Sequence, residues 1–383
     1  MDVSRRDLLR LAGTIGLTGL AGGFVLGEDA NAPSDLGPGI FFDKEARWYE
    51  KLGDGRVRCG LCPHNCVVSP GNRGACGVRE NRDGIYKTLV WGNPCAIHVD
   101  PIEKKPLFHF HPGANAFSLA TAGCNLRCKF CQNWDISQVR PEETPNVKLA
   151  PVDVVRAARE AKAGIIAFTY SEPTVFSEYV LDTAQLARSE KLDTVTISNG
   201  FIEKAPHEEL LAVLSAVKID LKSFDDKFYT EITSGKLAPV LSTLERLAEK
   251  KTWFEIVYLV IPSLNDDLSK IKDMSRWMLK SLGPNVPLHF TAFHPSYKLK
   301  NLPVTPPSTV RAARDTALAE GLRFVYCGNI PGDPGENTFC PSCKKVVVGR
   351  YGYFVMEKHL KDVSREMKEA KCEYCGESIP GIW

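Results

Sequence analysis

The chain has 383 residues, of which 44% are hydrophobic and 25% are charged, an ordinary balance for a globular protein with room for about two or three domains. Its 48 basic and 46 acidic residues leave a formal net charge of +2. This is not the strongly basic composition of a nucleic-acid-binding domain, so we expect no nucleic-acid partner. The 13 cysteines are the unusual feature, because they are clustered and odd in number.

Residues 1–32 have the pattern of a targeting segment. Arg5 and Arg6 in "SRRDLLR" precede a glycine-rich apolar run from Leu11 to Leu26, which is too short for a secure membrane span. The "ANA" that follows has the small-x-small form of a cleavage site. The segment resembles a twin-arginine export signal. We therefore predict an exported or membrane-associated protein, with a cytoplasmic location as the alternative.

Residues 33–115 are rich in Gly, Pro and Cys and predict a small, loop-rich, Cys-rich module. Four cysteines fall in "RCGLCPHNCVVSPGNRGACGVREN". The first three are spaced C-x2-C-x3-C, which is too close for easy disulfide pairing. This spacing favours cysteines that bind a zinc ion or an iron–sulfur cluster. Two disulfides stay open as an alternative, because export would permit them. The candidate ligands are Cys59, Cys62, Cys66 and Cys76.

Residues 116–330 alternate short apolar runs with amphipathic stretches such as "APVDVVRAAREAKA" and "LSTLERLAEK". Repeated strand–helix alternation predicts parallel strands joined by crossover helices. Because the runs are almost continuously apolar, they favour a barrel or curved partial barrel over a doubly wound sheet. The predicted strands are "AFSLAT", "GIIAFTY", "TVTIS", "VKIDLK", "FEIVYLVIP", "PLHFTAF" and "RFVYC".

Three cysteines, Cys124, Cys128 and Cys131, follow the first of these runs in "TAGCNLRCKFCQ". Zinc takes four ligands and disulfides take pairs, whereas three thiolates on a four-iron cluster leave one iron open. The C-x3-C-x2-C spacing, with Phe130 before the last cysteine, resembles the signature of radical S-adenosylmethionine (SAM) enzymes. A zinc site completed by a distant residue, or buried free thiols, are the structural alternatives.

The resemblance implies an α/β fold, a radical SAM partial (β/α)6 barrel, with a [4Fe–4S] cluster and SAM as cofactors. In that family the open iron chelates SAM, and reductive cleavage yields a 5′-deoxyadenosyl radical that abstracts hydrogen from a substrate. A low-potential electron donor is an implied partner. Low-potential electrons and SAM are available in the cytoplasm, so this requirement conflicts with the predicted export. The motifs "YSEP", "SNG", "KIDLK" and "TAFHP" lie at the ends of the second, third, fourth and sixth predicted strands, and Glu172 matches the residue that receives the SAM ammonium group. The implied SAM contacts are Phe130, Ser171, Glu172, Ser198, Asn199, Asp220, Lys222 and His294.

The motifs on both sides of the cluster loop resemble one particular group within this family. The first cysteine quartet, "DPIEKKPLFHFHPG", "QNWDISQ" and "NTFCPSC" resemble the radical SAM member of the AmmeMemoRadiSam system, which is related to pyruvate formate-lyase activating enzymes. This implies Memo-like and AMMECR-like partner proteins. Activation of a glycyl-radical enzyme is the runner-up. It ranks second because this chain departs from the activating-enzyme pattern: Ile197 and Val257 stand where activating enzymes carry an acidic residue and an arginine. An iron–sulfur electron-transfer protein without SAM cleavage is the second alternative.

Residues 331–383 form a tail with two C-x2-C knuckles. Four thiolates in paired knuckles suit a closed tetrahedral zinc site with a structural role. The intervening "VVVGRYGYFVMEKHL" is predicted to supply strands, so the tail is expected to resemble a zinc ribbon. Its candidate ligands are Cys340, Cys343, Cys372 and Cys375.

Overall fold

The computed structural model describes residues 38–383, and the export signal predicted at residues 1–32 lies outside them. Residues 38–95 form two small antiparallel sheets, with strand orders β1-β6-β5 and β2-β3-β4. Their strands are two to four residues long. The strands are β1 Lys44–Glu45, β2 Tyr49–Lys51, β3 Val57–Cys59, β4 Val67–Val68, β5 Arg79–Arg82 and β6 Ile85–Thr88.

An eight-stranded sheet, β7 to β14 in sequential order, forms the centre of the molecule. The strands from β8 to β14 pair in parallel, and β7 pairs antiparallel with β8. Each of the apolar runs predicted as strands forms one of these parallel strands, so the predicted α/β class is confirmed. The strands are β7 Ala96–Pro101, β8 Asn115–Ala120, β9 Ile165–Phe168, β10 Asp193–Ser198, β11 Ala216–Asp220, β12 Trp253–Val260, β13 Leu288–Ala292 and β14 Val325–Gly328.

Strand β7 lies within the 33–115 segment assigned from sequence to the Cys-rich module, yet it extends the central sheet. Only one of its six residues, Asp100, is buried, so it lacks the continuous apolar pattern that marks the parallel strands. In contrast, all four residues of β9 are buried. An edge strand exposed on one side gives a weaker sequence signal than a parallel strand covered on both faces.

One helix crosses between each consecutive pair of parallel strands. Helix α1 shows why these stretches fold: Pro151 occupies its first turn, and Val154, Val155 and Ala158 form a buried stripe. In the described residues no helix is both long and apolar enough to cross a membrane. The crossover helices are α1 Pro151–Glu160, α2 Ser177–Ser189, α3 Lys204–Leu211, α4 Leu237–Glu249, α5 Leu268–Ser281 and α6 Pro307–Ala319. Two short helices, Trp134–Ser137 and Asp226–Phe228, and a π-turn, Tyr229–Thr233, lie in the connections.

The tail forms two antiparallel three-stranded sheets, β15-β16-β17 and β18-β19-β20. A buried polar network joins it to the central sheet: Arg350 donates from Nη2 to the carbonyl of Phe108 at 2.7 Å, and His109 Nδ1 contacts the carbonyl of Pro380 at 2.6 Å. The strands predicted in the knuckle insert are present. They are β15 Thr338–Phe339, β16 Val346–Tyr351, β17 Phe354–Lys358, β18 Leu360–Ser364, β19 Glu369–Cys372 and β20 Ser378–Pro380.

Candidate active site

The loop after β8 carries Cys124, Cys128 and Cys131 at the carboxyl end of the central sheet. Gly123 precedes them with φ +94°, and a Cβ there would lie 2.4 Å from Cγ1 of Val78. Only glycine tolerates both this backbone conformation and this approach. The N-terminal module, which carries the first cysteine quartet and Val78, therefore packs directly against this loop.

Two of the three thiols, those of Cys124 and Cys131, have hydrogen-bond donors beside them. The backbone N–H of Leu126 donates to Sγ of Cys124 at 3.3 Å, and Oγ of Ser137 lies 3.2 Å from Sγ of Cys131. Every cysteine among residues 38–383 is a free thiol. Burial raises the pKa of Cys128 to about 12, so ionised sulfur there requires compensating positive charge. Donors around cysteine sulfurs are a usual feature of iron–sulfur ligation, and this donor set fits such a cluster.

All three cysteines line one cavity of about 480 Å³. This volume is in the range of small-molecule and cofactor sites. Strand ends across the sheet reach it, so the sheet curves around the cavity as expected of a partial barrel. Residues at or just after five strands contribute to the wall: Thr169, Asn199, Asp220, Thr291 and Asn329.

Glu172 joins the ends of β9 and β10. Its Oε1 accepts hydrogen bonds from the backbone and hydroxyl of Thr174, at 3.0 and 2.7 Å, and from Oγ of Ser198 at 2.7 Å. Its Oε2 accepts from the backbone N–H of Asn199 at 2.8 Å. Burial raises the pKa of Glu172, and these donated hydrogen bonds oppose the shift. The carboxylate both lines the cavity and fixes the "SNG" turn.

Ser171 offers an unused hydrogen-bonding group to the same cavity. Its Oγ is buried and has no hydrogen-bond partner among the residues that the structure describes. A buried hydroxyl left unpaired costs about 1–3 kcal/mol. A ligand in the cavity would recover that free energy.

Asp220 lies between two lysines. Lys222 Nζ donates to Oδ2 at 2.8 Å, and Lys218 Nζ contacts Oδ1. The Lys222 ammonium is 6.0 Å from the centroid of the Phe130 ring, at the outer limit of a cation–π contact. The Asp220 side chain therefore forms ion pairs with both lysines.

Taken alone, burial raises the pKa of the Asp220 carboxyl, because it disfavours the charged form. The attraction of Lys218 and Lys222 outweighs burial and brings the value down to about 2. The carboxylate is therefore ionised at neutral pH, and one negative charge is shared between two ammonium groups.

The structure does not bring every predicted SAM contact to the cavity. His294 is exposed, and Ser198, although buried, points its hydroxyl at Glu172. Neither belongs to the cavity wall. The predicted contacts that do line the cavity are Phe130, Ser171, Glu172, Asn199, Asp220 and Lys222.

A second lysine cluster lines the cavity and was not assigned from sequence. Asp100 accepts from Lys104 at 2.8 Å and from Lys105 at 2.6 Å, and the hydroxyl of Tyr170 also donates to it. Lys105 is only 3% exposed. The available sequence signals were the paired lysines of "DPIEKKPLFHFHPG" and the first lysine of "KIDLK", Lys218, which lies inside a buried strand.

The N-terminal cysteines Cys59, Cys62, Cys66 and Cys76 line one small cavity behind the cluster loop. Two fully buried side chains, Arg79 and Tyr86, line it as well. Arg79 Nε and Nη1 and the Tyr86 hydroxyl have no hydrogen-bond partner in the described part of the chain. Unpaired donors facing four sulfurs fit an anionic thiolate–metal centre, because such a centre would accept their hydrogen bonds.

The tail cysteines meet at the junction of its two sheets. Sγ of Cys340 lies 3.6 Å from Sγ of Cys375, and Sγ of Cys343 lies 3.8 Å from Sγ of Cys372. Within residues 38–383 this is the one group of candidate metal ligands whose atoms all lie within 4.8 Å of one another. A tetrahedral zinc ion with bonds of about 2.3 Å places its sulfurs about 3.8 Å apart. The four sulfurs therefore fit one ion.

Comparison with known proteins gives the relatives of this chain. Residues 118–274 match the Radical SAM superfamily. The uncharacterized protein MJ0808 of Methanocaldococcus jannaschii is 41% identical over 336 residues, covering 88% of this chain and 98% of that protein. The pyruvate formate-lyase 1-activating enzyme of Escherichia coli is 28% identical over 150 residues, covering 38% of this chain and 61% of that enzyme.

Among solved structures, a radical SAM methyltransferase from Sphaerobacter thermophilus aligns with 59% of this chain and 71% of its own, with 15% identity and a TM-score of 0.45. The superfamily match carries the assignment, since it covers the cluster loop and the following strands; MJ0808 is similar over almost the whole of both chains. The protein belongs to the radical SAM superfamily and is an enzyme with activating-enzyme homologues.

Proposed function

We propose that this enzyme holds a [4Fe–4S] cluster on Cys124, Cys128 and Cys131 and uses it to cleave SAM reductively. One observation carries the proposal: the three thiols open onto the cavity of about 480 Å³, and no fourth cysteine of the described residues lines it. Three thiolates ligate three irons and leave one coordination position for a ligand. A merely structural site would close that position with a fourth protein ligand.

When bound, the cluster supplies the electron that splits SAM into methionine and a 5′-deoxyadenosyl radical, which then abstracts hydrogen from the substrate. The chain's own groups bind and orient SAM. Ser171 provides an unpaired hydroxyl, Glu172 provides a negative charge for the ammonium group, and Lys222 provides a positive charge for the carboxylate. Glu172 also holds the "SNG" turn in place, so we assign it a positioning role as well.

The test is anaerobic reconstitution with iron and sulfide, followed by reduction with dithionite in the presence of SAM. We expect 5′-deoxyadenosine and methionine to be released in equal amounts, and we expect neither from the chain without its cluster. A fully reconstituted preparation that releases neither product would defeat the proposal. It would favour the electron-transfer alternative, which needs no cradle for SAM.

The substrate defines two candidate functions. We favour a small molecule or partner protein of the AmmeMemoRadiSam system, with Memo-like and AMMECR-like partners. The name of the Escherichia coli relative supports glycyl-radical activation as the second candidate. Ile197 and Val257 both line the cavity, so the residues that depart from the activating-enzyme pattern are at the site itself. Anaerobic co-purification tests the partners, and a glycyl-radical signal in electron paramagnetic resonance of a captured protein would favour activation.

We also propose metal centres in both outer quartets: zinc in the tail, and zinc or an iron–sulfur cluster at Cys59, Cys62, Cys66 and Cys76. Replacing Cys124, Cys128 and Cys131 together with alanine should leave about one tail zinc per chain. Residual iron would then identify a second cluster, and a second zinc would identify a zinc site. Finding neither would favour disulfides in the N-terminal quartet. The absence of zinc altogether would defeat the tail assignment.

Export or membrane association through residues 1–32 is likewise our proposal, drawn from the paired arginines of "SRRDLLR". Fractionation of cells that express the full chain tests it. We expect the protein outside the cytosol or on the membrane. Recovery only in the cytosol, with residues 1–32 retained, would contradict the proposal.

A further inference from the structure

Two buried lysines, Lys105 and Lys218, line the cavity and are not among the predicted SAM contacts. Their exposed fractions are 3% and 5%. Lys105 follows β7 and Lys218 lies within β11, so separate elements deliver them to one space. Withdrawing an ammonium group from water costs several kcal/mol unless it is compensated. The cavity therefore holds charge that the fold does not require for its core.

Each lysine belongs to a cluster with more positive than negative charge. Asp100 pairs with Lys104 and Lys105, and Asp220 pairs with Lys218 and Lys222. One lysine would neutralise each aspartate, so each cluster holds one lysine more than it holds carboxylates. The excess charge of both clusters faces the same cavity.

The remaining carboxylate of the cavity, Glu172, offsets part of this charge, because it favours the charged form of Lys218; the two clusters and Glu172 together hold four lysines and three carboxylates. Glu172 already accepts four hydrogen bonds from Thr174, Ser198 and Asn199. Lys218 donates to Asp220 alone among the described residues, although an ammonium group has three donors. Burial lowers the pKa of Lys105 to about 8, partly opposed by Asp100, and nearby Lys104 and Lys218 lower it further. The two buried ammonium groups are thus close enough to repel each other.

We propose that the substrate carries an oxyanion, a carboxylate or a phosphate, and that Lys105 and Lys218 bind it beside the SAM site. An anion between the two ammonium groups would offset their repulsion and take up the unused donors of Lys218. The proposal rests on the proposed function, since it names the substrate class of the same cavity. It favours a small anionic molecule over the uncharged backbone of a glycine loop.

The test measures binding of two probes, inorganic phosphate and acetate, to the cluster-loaded full chain with SAM present, by isothermal titration calorimetry. We expect the wild type to bind at least one probe, and the preferred probe distinguishes phosphate from carboxylate. Lys105→Met and Lys218→Met should each weaken that binding about tenfold or more, the loss of one charge-assisted hydrogen bond. Each variant leaves the shared aspartate paired with its other lysine.

Lys250→Met is the control. Lys250 pairs with Glu208 outside the cavity, and its side chain is 46% exposed. We expect its replacement to change probe affinity by no more than about twofold. The proposal is overturned if the wild type binds neither probe, or if Lys250→Met weakens binding as much as Lys105→Met.

A parallel titration with SAM separates this inference from the proposed function. If Lys218→Met loses affinity for SAM as much as for the probe, the lysine serves SAM itself and the inference is wrong. If the wild type binds the probe through both lysines yet releases no 5′-deoxyadenosine, the proposed function fails and the anion site stands. If the wild type releases 5′-deoxyadenosine but does not bind the probe through both lysines, the proposed function stands and the anion site is wrong.

Discussion

The cluster loop and the tail present cysteines in opposite ways. In the tail, four sulfurs form two pairs, and the sulfurs of each pair lie 3.6 or 3.8 Å apart. At the loop, three thiols border a cavity of about 480 Å³. The tail thus fits a metal that is fully ligated by the protein, whereas the loop leaves room for a ligand from solution. The number of thiols, more than their chemical type, separates a structural centre from a reactive one.

Removal of one loop cysteine should have the largest effect. We expect Cys128→Ala to abolish SAM cleavage, because two thiolates cannot hold a four-iron cluster in place. Release of 5′-deoxyadenosine and iron content per chain are the measurements. Cys95→Ala is the control, since Cys95 belongs to none of the three cysteine groups. Cleavage by Cys128→Ala at the wild-type rate would show that the loop is not the cluster site.

Removal of one tail cysteine should destabilise the fold without removing the loop's iron. Structural zinc contributes about 10–16 kcal/mol to folding of small zinc domains, so Cys372→Ala should release the tail metal and lower the melting temperature. Metal analysis and calorimetry measure both effects. If this variant keeps one zinc per chain, the tail cysteines are not the zinc site. If it loses the loop iron together with the zinc, the two centres are not independent.

Glu172→Ala should give a smaller effect, confined to the open site. The carboxylate holds Asn199 and faces the cavity, so its loss should weaken SAM binding about tenfold to a hundredfold and leave the cluster's absorbance intact. Glu190→Ala is a suitable control, because Glu190 forms an exposed ion pair with Arg159 that is worth little. Unchanged SAM affinity in Glu172→Ala would remove this residue from the site.

The smallest expected effect is a pH dependence of anion binding. Lys105, whose pKa burial lowers to about 8, loses its proton as the pH rises through that value, so acetate affinity should fall severalfold between about pH 7 and pH 9. Asp100 and Tyr170 contact Lys105, and Lys104 and Lys218 repel it. Lys105→Arg should keep its charge and flatten the profile. A flat profile in the wild type would contradict the assignment.

The sequence predicted the parallel strands well because each is a compact apolar run between amphipathic helices. The sequence predicted less well which polar side chains reach the cavity. His294 follows a predicted strand as the SAM contacts do, yet its loop leaves it exposed. Lys218 lies inside a buried strand, yet its side chain lines the cavity. Which face of a curved sheet a lysine occupies depends on packing between elements distant in sequence, and no local pattern records that.

The close approach of Gly123 to Val78 has a consequence for how far the enzyme can be shortened. The superfamily match covers residues 118–274, but Val78, which lies against the cluster loop, comes from a separate part of the chain. Asn329 and Tyr353, which line the cavity, also lie outside the match. A fragment limited to the matched residues would carry all three loop cysteines without Val78 behind their loop and without part of the cavity wall. The minimal catalytic unit is therefore larger than the region by which its family is recognised.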